Sequence, residues 1–331
     1  MSFDVVTFGE AMVRLTPPLF QRIEQASELW MHVGGGEFNV AIGASRLGLT
    51  SAWVSALPVN PLGRLVRNKA REHGVNTDYV AWHEKERCGL YFLEMGTAPR
   101  PNAVLYDRAN AAVSNLQPGE LDWDGVFAGA KAFHVSGITP ALSASCCEVT
   151  MEALQKAKQH GLFVSYDLNY RKNLWSTAEA AAAQEPMMDY VDLLITTEDD
   201  ANEVFGHQGA PASVCRELKE RFGFTAAAMT LRRIDTVLRH GWTSIIYADK
   251  LYEDVTYELE NVDRVGGGDS FSAGCLYGWL TTQDWQQAVA WGDAFSALKH
   301  TNLGDVNFAT REETERLMKS YGDKLRFKIQ R

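Results

Sequence analysis

The sequence predicts a three-layer α/β/α protein, a mostly parallel central sheet with helices on both faces and a small β-sheet lid. Two observations carry this. Short apolar runs alternate with amphipathic helical stretches, which is how the strands of a parallel sheet and their crossover helices read in order. Residues 87–112 break that rhythm with two alternating apolar–polar segments separated by glycine and prolines, the pattern of an antiparallel insertion. Length agrees, since 331 residues suit a large α/β domain with an appendage.

The elements follow in order. Residues 5–9 form the first buried strand. Residues 37–47 form a helix in which Ala41, Gly43 and Ala44 permit close packing. Residues 52–56 are the next strand, and 63–73 a helix stopped by Gly74. The segments Leu90-Tyr91-Phe92-Leu93-Glu94 and Ala103-Val104-Leu105-Tyr106 form a hairpin, with partner strands supplied from 13–33 across the Pro17-Pro18 break. The expected lid is thus 13–33 with 87–112, and the expected core is 1–12, 34–86 and 113–331. Further strands are read at 132–136, 163–167, 191–195 and 226–231, with a helix at 147–160 ended by Gly161 and the alanines 180–183 within another helix. Residues 237–239 and 244–248, separated by Gly241, are read as a hairpin. Helices at 269–280, 285–300 and 311–321 complete the reading, with Trp279, Trp285 and Trp291 as packing residues.

Composition narrows the function. The net charge of −10 is spread along the chain, which argues against a general nucleic-acid binder. Anionic small ligands stay open, because a few arginines can dominate a pocket. The five cysteines (Cys88, Cys146, Cys147, Cys215 and Cys275) are odd in number and share no repeated spacing, so reduced thiols in a cytoplasm are expected rather than disulfides or zinc. The first residues read as a strand rather than a signal peptide, and no run has the apolar length of a membrane span.

Two glycine clusters carry the chemistry. In Asp263-Arg264-Val265-Gly266-Gly267-Gly268-Asp269-Ser270-Phe271, three glycines lead into a helix. Without Cβ atoms they let several N–H groups converge on one ligand, and the helix dipole favours an anion there. Asp269 then either caps the helix or stands beside the bound anion as a proton acceptor. The segment lacks the Lys-Ser/Thr ending of a Walker A loop, and neither cluster satisfies G-x-G-x-x-G. The second cluster is Gly34-Gly35-Gly36-Glu37-Phe38-Asn39, in which Asn39 offers a donor and an acceptor to hydroxyl groups.

Together the clusters resemble the two signature regions of the ribokinase-like, or PfkB, carbohydrate kinases. The first matches a Gly-Gly-x-x-x-Asn-x-Ala helix entry followed by Arg46-Leu47-Gly48, and the second matches Asp-Thr-Thr-Gly-Ala-Gly-Asp-x-Phe in the form 263–271. The resemblance covers essentially the whole chain and implies a ribokinase-like fold and ATP-dependent phosphoryl transfer to a sugar hydroxyl. It makes Asp269 the catalytic base and Gly266, Gly267 and Gly268 the anion hole. It puts the adenine between Thr230-Leu231-Arg232 and the helix end at His300, near Gly304, with nucleotide contacts from Thr230, Arg232, Gly266, Gly268 and His300. It assigns Mg²⁺ to the acidic segment 196–200 through water, with Asp200 and Glu198 as the candidates. A monovalent cation would sit at Asp263, although Arg264-Val265 replaces the usual Thr-Thr. A homodimer through the lid is also implied.

The acceptor is narrowed by three further stretches that resemble 2-keto-3-deoxygluconate kinases: Tyr106-Asp107-Arg108 with Tyr91, Phe133-His134-Val135-Ser136-Gly137-Ile138-Thr139, and Asp167-Leu168-Asn169-Tyr170-Arg171. A sugar acid needs its carboxylate neutralised, and arginine does this in a directed, often bidentate way. The expected acceptor-binding set is Gly34, Gly35, Asn39, Tyr91, Tyr106, Arg108, Ile138 and Arg171, with His134 satisfying a strand-end hydrogen bond. Two readings compete with this one. A neutral-sugar kinase of the same fold would give Arg108 and Arg171 no inward role, and a non-catalytic sugar-binding regulator would have no need of Asp269 and its glycines together.

Overall fold

The computed structural model of the chain describes residues 2–236 and 238–321. Its first half contains β1 (Val5–Phe8), β2 (Met12–Thr16), β3 (Trp30–Gly34), α1 (Gly36–Arg46), β4 (Ser51–Pro58), α2 (Pro61–Glu72), β5 (Val80–His83), β6 (Gly89–Glu94), β7 (Ala103–Asp107) and α3 (Trp123–Phe127). There follow β8 (Ala132–Ser136), α4 (Ile138–Ala141), α5 (Ala144–Gln159), β9 (Phe163–Asp167), α6 (Thr177–Gln184), β10 (Leu193–Thr196), α7 (Glu198–Phe205) and α8 (Pro211–Phe222). Then come β11 (Ala226–Ile234), β12 (Arg239–Tyr247), β13 (Leu251–Glu253), β14 (Tyr257–Glu260), α9 (Gly267–Thr282), α10 (Trp285–Lys299) and α11 (Arg311–Ser320).

The main sheet runs β13-β12-β11-β10-β9-β8-β1-β4-β5, with β14 also on β12. From β5 across to β11 every neighbour is parallel, and β12, β13 and β14 add an antiparallel edge. Successive side chains of a strand point to opposite faces, and this sorts the core into layers. Val6, Val54, Val135, Val164 and Leu194 meet Val149 and Leu154 of α5 and Leu218 of α8. Val5 and Ala132 face the other way, onto Ala44 of α1, Leu276 of α9 and Phe295 of α10.

The lid is a second sheet, ordered β3-β2-β6-β7. Its register creates two cross-strand rows on opposite faces. His32, Arg14, Tyr91 and Tyr106 stand side by side on the face toward the core, and Met31, Leu15, Phe92 and Leu105 stand on the other. Among the described residues no helix is long and apolar enough to cross a membrane, and all five cysteines are free.

One expected hairpin is corrected. Residues 239–247 form a single strand that runs straight through Gly241 and pairs antiparallel with β11. Gly241 is not a turn residue: the space over its Cα is taken by Thr256 and Arg233 side chains, at 3.1 and 3.3 Å from where a Cβ would sit. The turn lies at Asp235 and Thr236, whose N–H groups both reach the Arg239 carbonyl. Val237, read as part of that hairpin, and residues 322–331 of the expected core lie outside the described residues.

Candidate active site

The carboxyl ends of the parallel strands open into a cleft of about 560 Å³, roofed by the lid. This is where open α/β sheets hold their ligands. The ends of β9 and β10 contribute Asp167, Thr196 and Thr197, the start of α4 contributes Ile138 and the middle of β11 Thr230, the lid contributes Tyr91, Tyr106 and Arg108, and the entry to α9 contributes Gly266, Gly267, Gly268 and Asp269.

Asp269 lies in the first turn of α9, which has no side-chain cap. Its carboxylate faces the cleft instead, and Oδ2 accepts a hydrogen bond of 2.7 Å from Asn39 Nδ2. Burial raises its pKa to about 6, against the stabilising hydrogen bond from Asn39. A carboxylate so placed is ionised at neutral pH yet basic enough to take a proton from a positioned hydroxyl. Asn39 was expected to address hydroxyl groups. Here one of its two amide N–H donors orients Asp269, and its oxygen faces the Gly35 N–H at 3.4 Å.

The glycines before Asp269 do separate jobs. Gly266 is the N-cap in the left-handed region (φ +85°), and a Cβ there would overlap the Asp305 carbonyl, so only glycine allows this approach. A Cβ on Gly268 would meet nothing, so the backbone at this point borders open cleft. The first N–H groups of a helix have no acceptor within it. Here the Gly267 N–H is donated to the Arg264 carbonyl at 3.2 Å, while Gly268 and Asp269 stand in the cleft wall.

On the acceptor side, Gly34, Gly35, Asn39, Tyr91, Tyr106, Arg108, Ile138 and Arg171 all line the cleft. Their partners differ from expectation in two places. Arg108 Nη2 is ion-paired to Glu10 Oε2, leaving Arg108 Nε and Glu10 Oε1 buried and without hydrogen-bond partners. Tyr91 donates its hydroxyl to Asp305 Oδ2 and is only 4% exposed. Arg171 is exposed, donates to the Tyr170 carbonyl at 2.9 Å, and forms no direct ion pair among the described residues. Its charge faces Asp167, Asp200 and Asp269, three acidic side chains along one wall. Burial pushes the Asp167 pKa well up, and the charges of Asp200 and Asp269 push it further. Asp107, beside Arg108, is ion-paired to Arg87 at 2.6 Å.

Thr230 and Arg232 line the opposite end, together with Arg264 and Trp242. Arg232 stacks over the Trp242 ring at 5.6 Å, and its pKa is lowered by burial and by Arg264, so two cations meet at this end. His300 is placed elsewhere. It is fully buried behind Gly267, donates through Nδ1–H to the Ser296 carbonyl (2.7 Å), and lies outside the cleft lining, as does Gly304. Glu198 is exposed and also outside the lining, whereas Asp199 and Asp200 are in it. His134 is buried against Ser165 Oγ at 3.1 Å, with its pKa lowered by burial to about 3.

Sequence reading missed the groups that hold this site in shape. Glu37 is buried and accepts from Ser136 N–H, Ser136 Oγ and Thr139 Oγ1 at 2.7–2.8 Å, tying the first turn of α1 to the end of β8. Arg14 is wholly buried between Asp263 (2.7 Å) and Asp305 (2.8 Å). Burial opposes its charge, but the two carboxylates outweigh that and hold its pKa above the usual value. Asp263, the expected cation ligand, is therefore occupied. Its carboxylate takes Arg14 and the N–H groups of Val265 and Gly304, and its carbonyl takes Lys299 Nζ. An arginine at a strand position of otherwise apolar pattern was the one available signal.

Comparison with known proteins places this geometry. Residues 2–312 match the pfkB family of carbohydrate kinases. A 2-dehydro-3-deoxygalactonokinase of Haloferax volcanii is 42% identical over 319 residues, covering 96% of this chain and 98% of that protein. A 5-dehydro-2-deoxygluconokinase of Bacillus subtilis is 27% identical over 328 residues, covering 96% and 97%. The crystal structure of a 2-dehydro-3-deoxygluconokinase from Thermotoga maritima has a TM-score of 0.94 at 39% identity, covering 96% of this chain and 99% of the other.

Proposed function

The chain belongs to the pfkB family of carbohydrate kinases, and we propose that it transfers the γ-phosphoryl group of ATP to a hydroxyl of an acidic keto sugar, with 2-keto-3-deoxygluconate as the first choice. The observation that carries this is Asp269, a cleft-facing carboxylate in the first turn of α9, next to the open backbone of Gly268. The acceptor oxygen attacks the γ-phosphorus as the bond to the β,γ-bridging oxygen breaks. Asp269 takes the hydroxyl proton and ADP leaves. Such transfers need positioning and charge neutralisation above all. The N–H groups of Gly266 and Gly268 supply the first, the Gly267 N–H being held by the Arg264 carbonyl, and Arg232 and Arg264 lie where the polyphosphate charge would extend.

Mg²⁺ would accompany the nucleotide and neutralise phosphate charge. Among the described residues no group of three or more His, Cys, Asp or Glu side chains could hold a metal ion alone. That fits an ion held chiefly by phosphate and water, with Asp200 beside it. Glu198 faces solvent and is the weaker candidate.

For the acceptor, the names of the three similar proteins given above each describe a deoxy keto aldonate. With Arg108 engaged by Glu10, Arg171 is the guanidinium best placed to meet their carboxylate. The same Glu10 pairing favours the runner-up, a neutral-sugar kinase, because it leaves Arg108 neutralised. An ADP-release assay across 2-keto-3-deoxygluconate, its galacto epimer, 5-keto-2-deoxygluconate, fructose and ribose separates the two. Arg171→Ala should raise KM for the sugar acids by roughly 10- to 100-fold, the loss of hydrogen bonds to a charged group. An Arg171→Ala enzyme with unchanged sugar-acid KM would move the assignment to neutral sugars.

The lid's outer row, Met31, Leu15, Phe92 and Leu105, is apolar, with Leu105 63% and Met31 55% exposed. Apolar rows of this kind mark contact surfaces, and the reading extends to a homodimer formed lid to lid. Light scattering should give twice the chain mass, reduced to one chain mass in Leu105→Glu. A wild-type protein of one chain mass at micromolar concentration would remove the dimer. Five free cysteines suit a reducing cytoplasm.

A further inference from the structure

Lys299 is a buried cation that phosphoryl transfer leaves without a task. It ends α10, is wholly buried, and donates through Nζ to the carbonyl oxygens of Asp263 (3.1 Å) and Asn302 (3.3 Å). Those carbonyls belong to two loops that flank the glycine segment. The first leads from Asp263 into the N-cap of α9, with Asp263 Oδ1 bracing the Val265 N–H at 3.1 Å. The second carries Gly304, whose N–H bonds Asp263 Oδ2 at 3.1 Å, and Asp305, whose carbonyl lies against Gly266. The ammonium therefore clamps together the two segments that fix where Gly266, Gly267 and Gly268 stand.

Charge adds a second argument. Asp263 and Asp305 face Arg14 and Lys299 in one buried cluster, so the formal charges cancel. Removing the ammonium would leave one net negative charge beside the loop that must hold a phosphate. Burial draws the Lys299 pKa down to about 8 while Asp263 and Asp305 oppose that fall, so the charge is retained at pH 7. The hydrogen bonds of Nζ go to main-chain carbonyls, not to carboxylates. A singly charged group held by carbonyl oxygens is how proteins also bind K⁺.

We propose that the Lys299 ammonium serves as a built-in monovalent cation that positions the anion-binding loop, so that phosphoryl transfer by this protein needs no external K⁺ or NH₄⁺. The proposal rests on the kinase reading. Lys299 touches no reacting group and is a positioning residue.

The test is a cation series at constant ionic strength with chlorides of K⁺, Na⁺, NH₄⁺ and tetramethylammonium. Wild-type kcat and KM for ATP should agree across the series within about twofold, the resolution of a kinetic comparison. Lys299→Met in tetramethylammonium should lose roughly 10- to 100-fold in kcat/KM for ATP, the scale seen when groups that orient a site are removed. K⁺ or NH₄⁺ should restore most of that loss with saturation, and should raise the melting temperature of the variant but not of the wild type. Activation of the wild type by K⁺ would overturn the proposal, as would a folded variant whose loss no cation repairs or one that needs no repair. If Lys299→Met does not fold in any salt, the wild-type series decides. If the wild type phosphorylates no acceptor in any salt, the kinase reading fails, and the melting-temperature arm still decides on Lys299.

Discussion

Replacing Asp269 with asparagine is expected to lower kcat by at least about 10²-fold while leaving the fold intact, the scale of general-base loss. The isosteric amide keeps the volume in the first turn of α9, and it removes only the capacity to take a proton. Stability should hold for the same reason, because burial already raises the pKa of this carboxylate to about 6 and so disfavours its charge. The pH profile supplies a second reading. A group that acts when deprotonated, with a pKa near 6, should make wild-type kcat/KM for the acceptor fall as pH drops through about 6 and level off above it. In Asp269→Asn the residual activity should lose that acid limb. A folded variant turning over near the wild-type rate, or one that keeps the limb, would remove Asp269 from the chemistry.

Why Asp269 was legible and other groups were not comes down to sequence distance. The glycines and the carboxylate they precede are consecutive, so a glycine-led helix entry with a carboxylate in its first turn follows from neighbours alone, whereas the choice between cap and proton acceptor came from the resemblance, and the structure leaves the helix without a side-chain cap. Alternating apolar strands were legible for the same reason. The lid hairpin was read from the alternation at 90–94 and 103–106, and β6 and β7 pair in that register. Gly241 misled because glycine in a strand and glycine in a turn look alike until the side chains packed over it are known. The edge strands β13 and β14 span three and four residues, too few to show a period. Arg108 illustrates a deeper limit. Its motif was readable, but its partner Glu10 lies 98 positions earlier, and that ion pair passes the burden of meeting a carboxylate to Arg171. Arg14 is more extreme, since its Asp305 partner lies 291 positions away. Nothing in the residues around Arg14 shows that it will be wholly buried.

That burial sets the other large effect, on stability rather than on turnover. Arg14→Met should destabilise the protein by about 3–5 kcal/mol, the cost of removing one member of a buried ion pair and leaving the rest charged. Methionine fits the volume, but Asp263 and Asp305 would then share the cluster with Lys299 as the remaining buried cation. Their other donors (Val265 N–H, Gly304 N–H and the Tyr91 hydroxyl) are neutral. Arg14→Lys should recover only part of the loss, because one ammonium cannot reach two carboxylates as the planar guanidinium does. Urea unfolding reads the effect as a lower midpoint with unchanged slope. The position of Arg14 gives the same substitution a functional signature. It stands in the lid's inner row between His32 and Tyr91, and its ion pairs join β2 to the loops at Asp263 and Asp305 that flank the glycines. Freed from that anchor, the lid should hold Tyr91 and Arg108 less firmly over the acceptor. KM for the sugar should therefore rise more than KM for ATP when Arg14→Met is assayed below its melting temperature. A stability loss under about 1 kcal/mol, within the range of ordinary surface changes or little above it, would mean that the cluster relaxes when Arg14 is removed and that the lid is held by its strand pairing and apolar contacts instead.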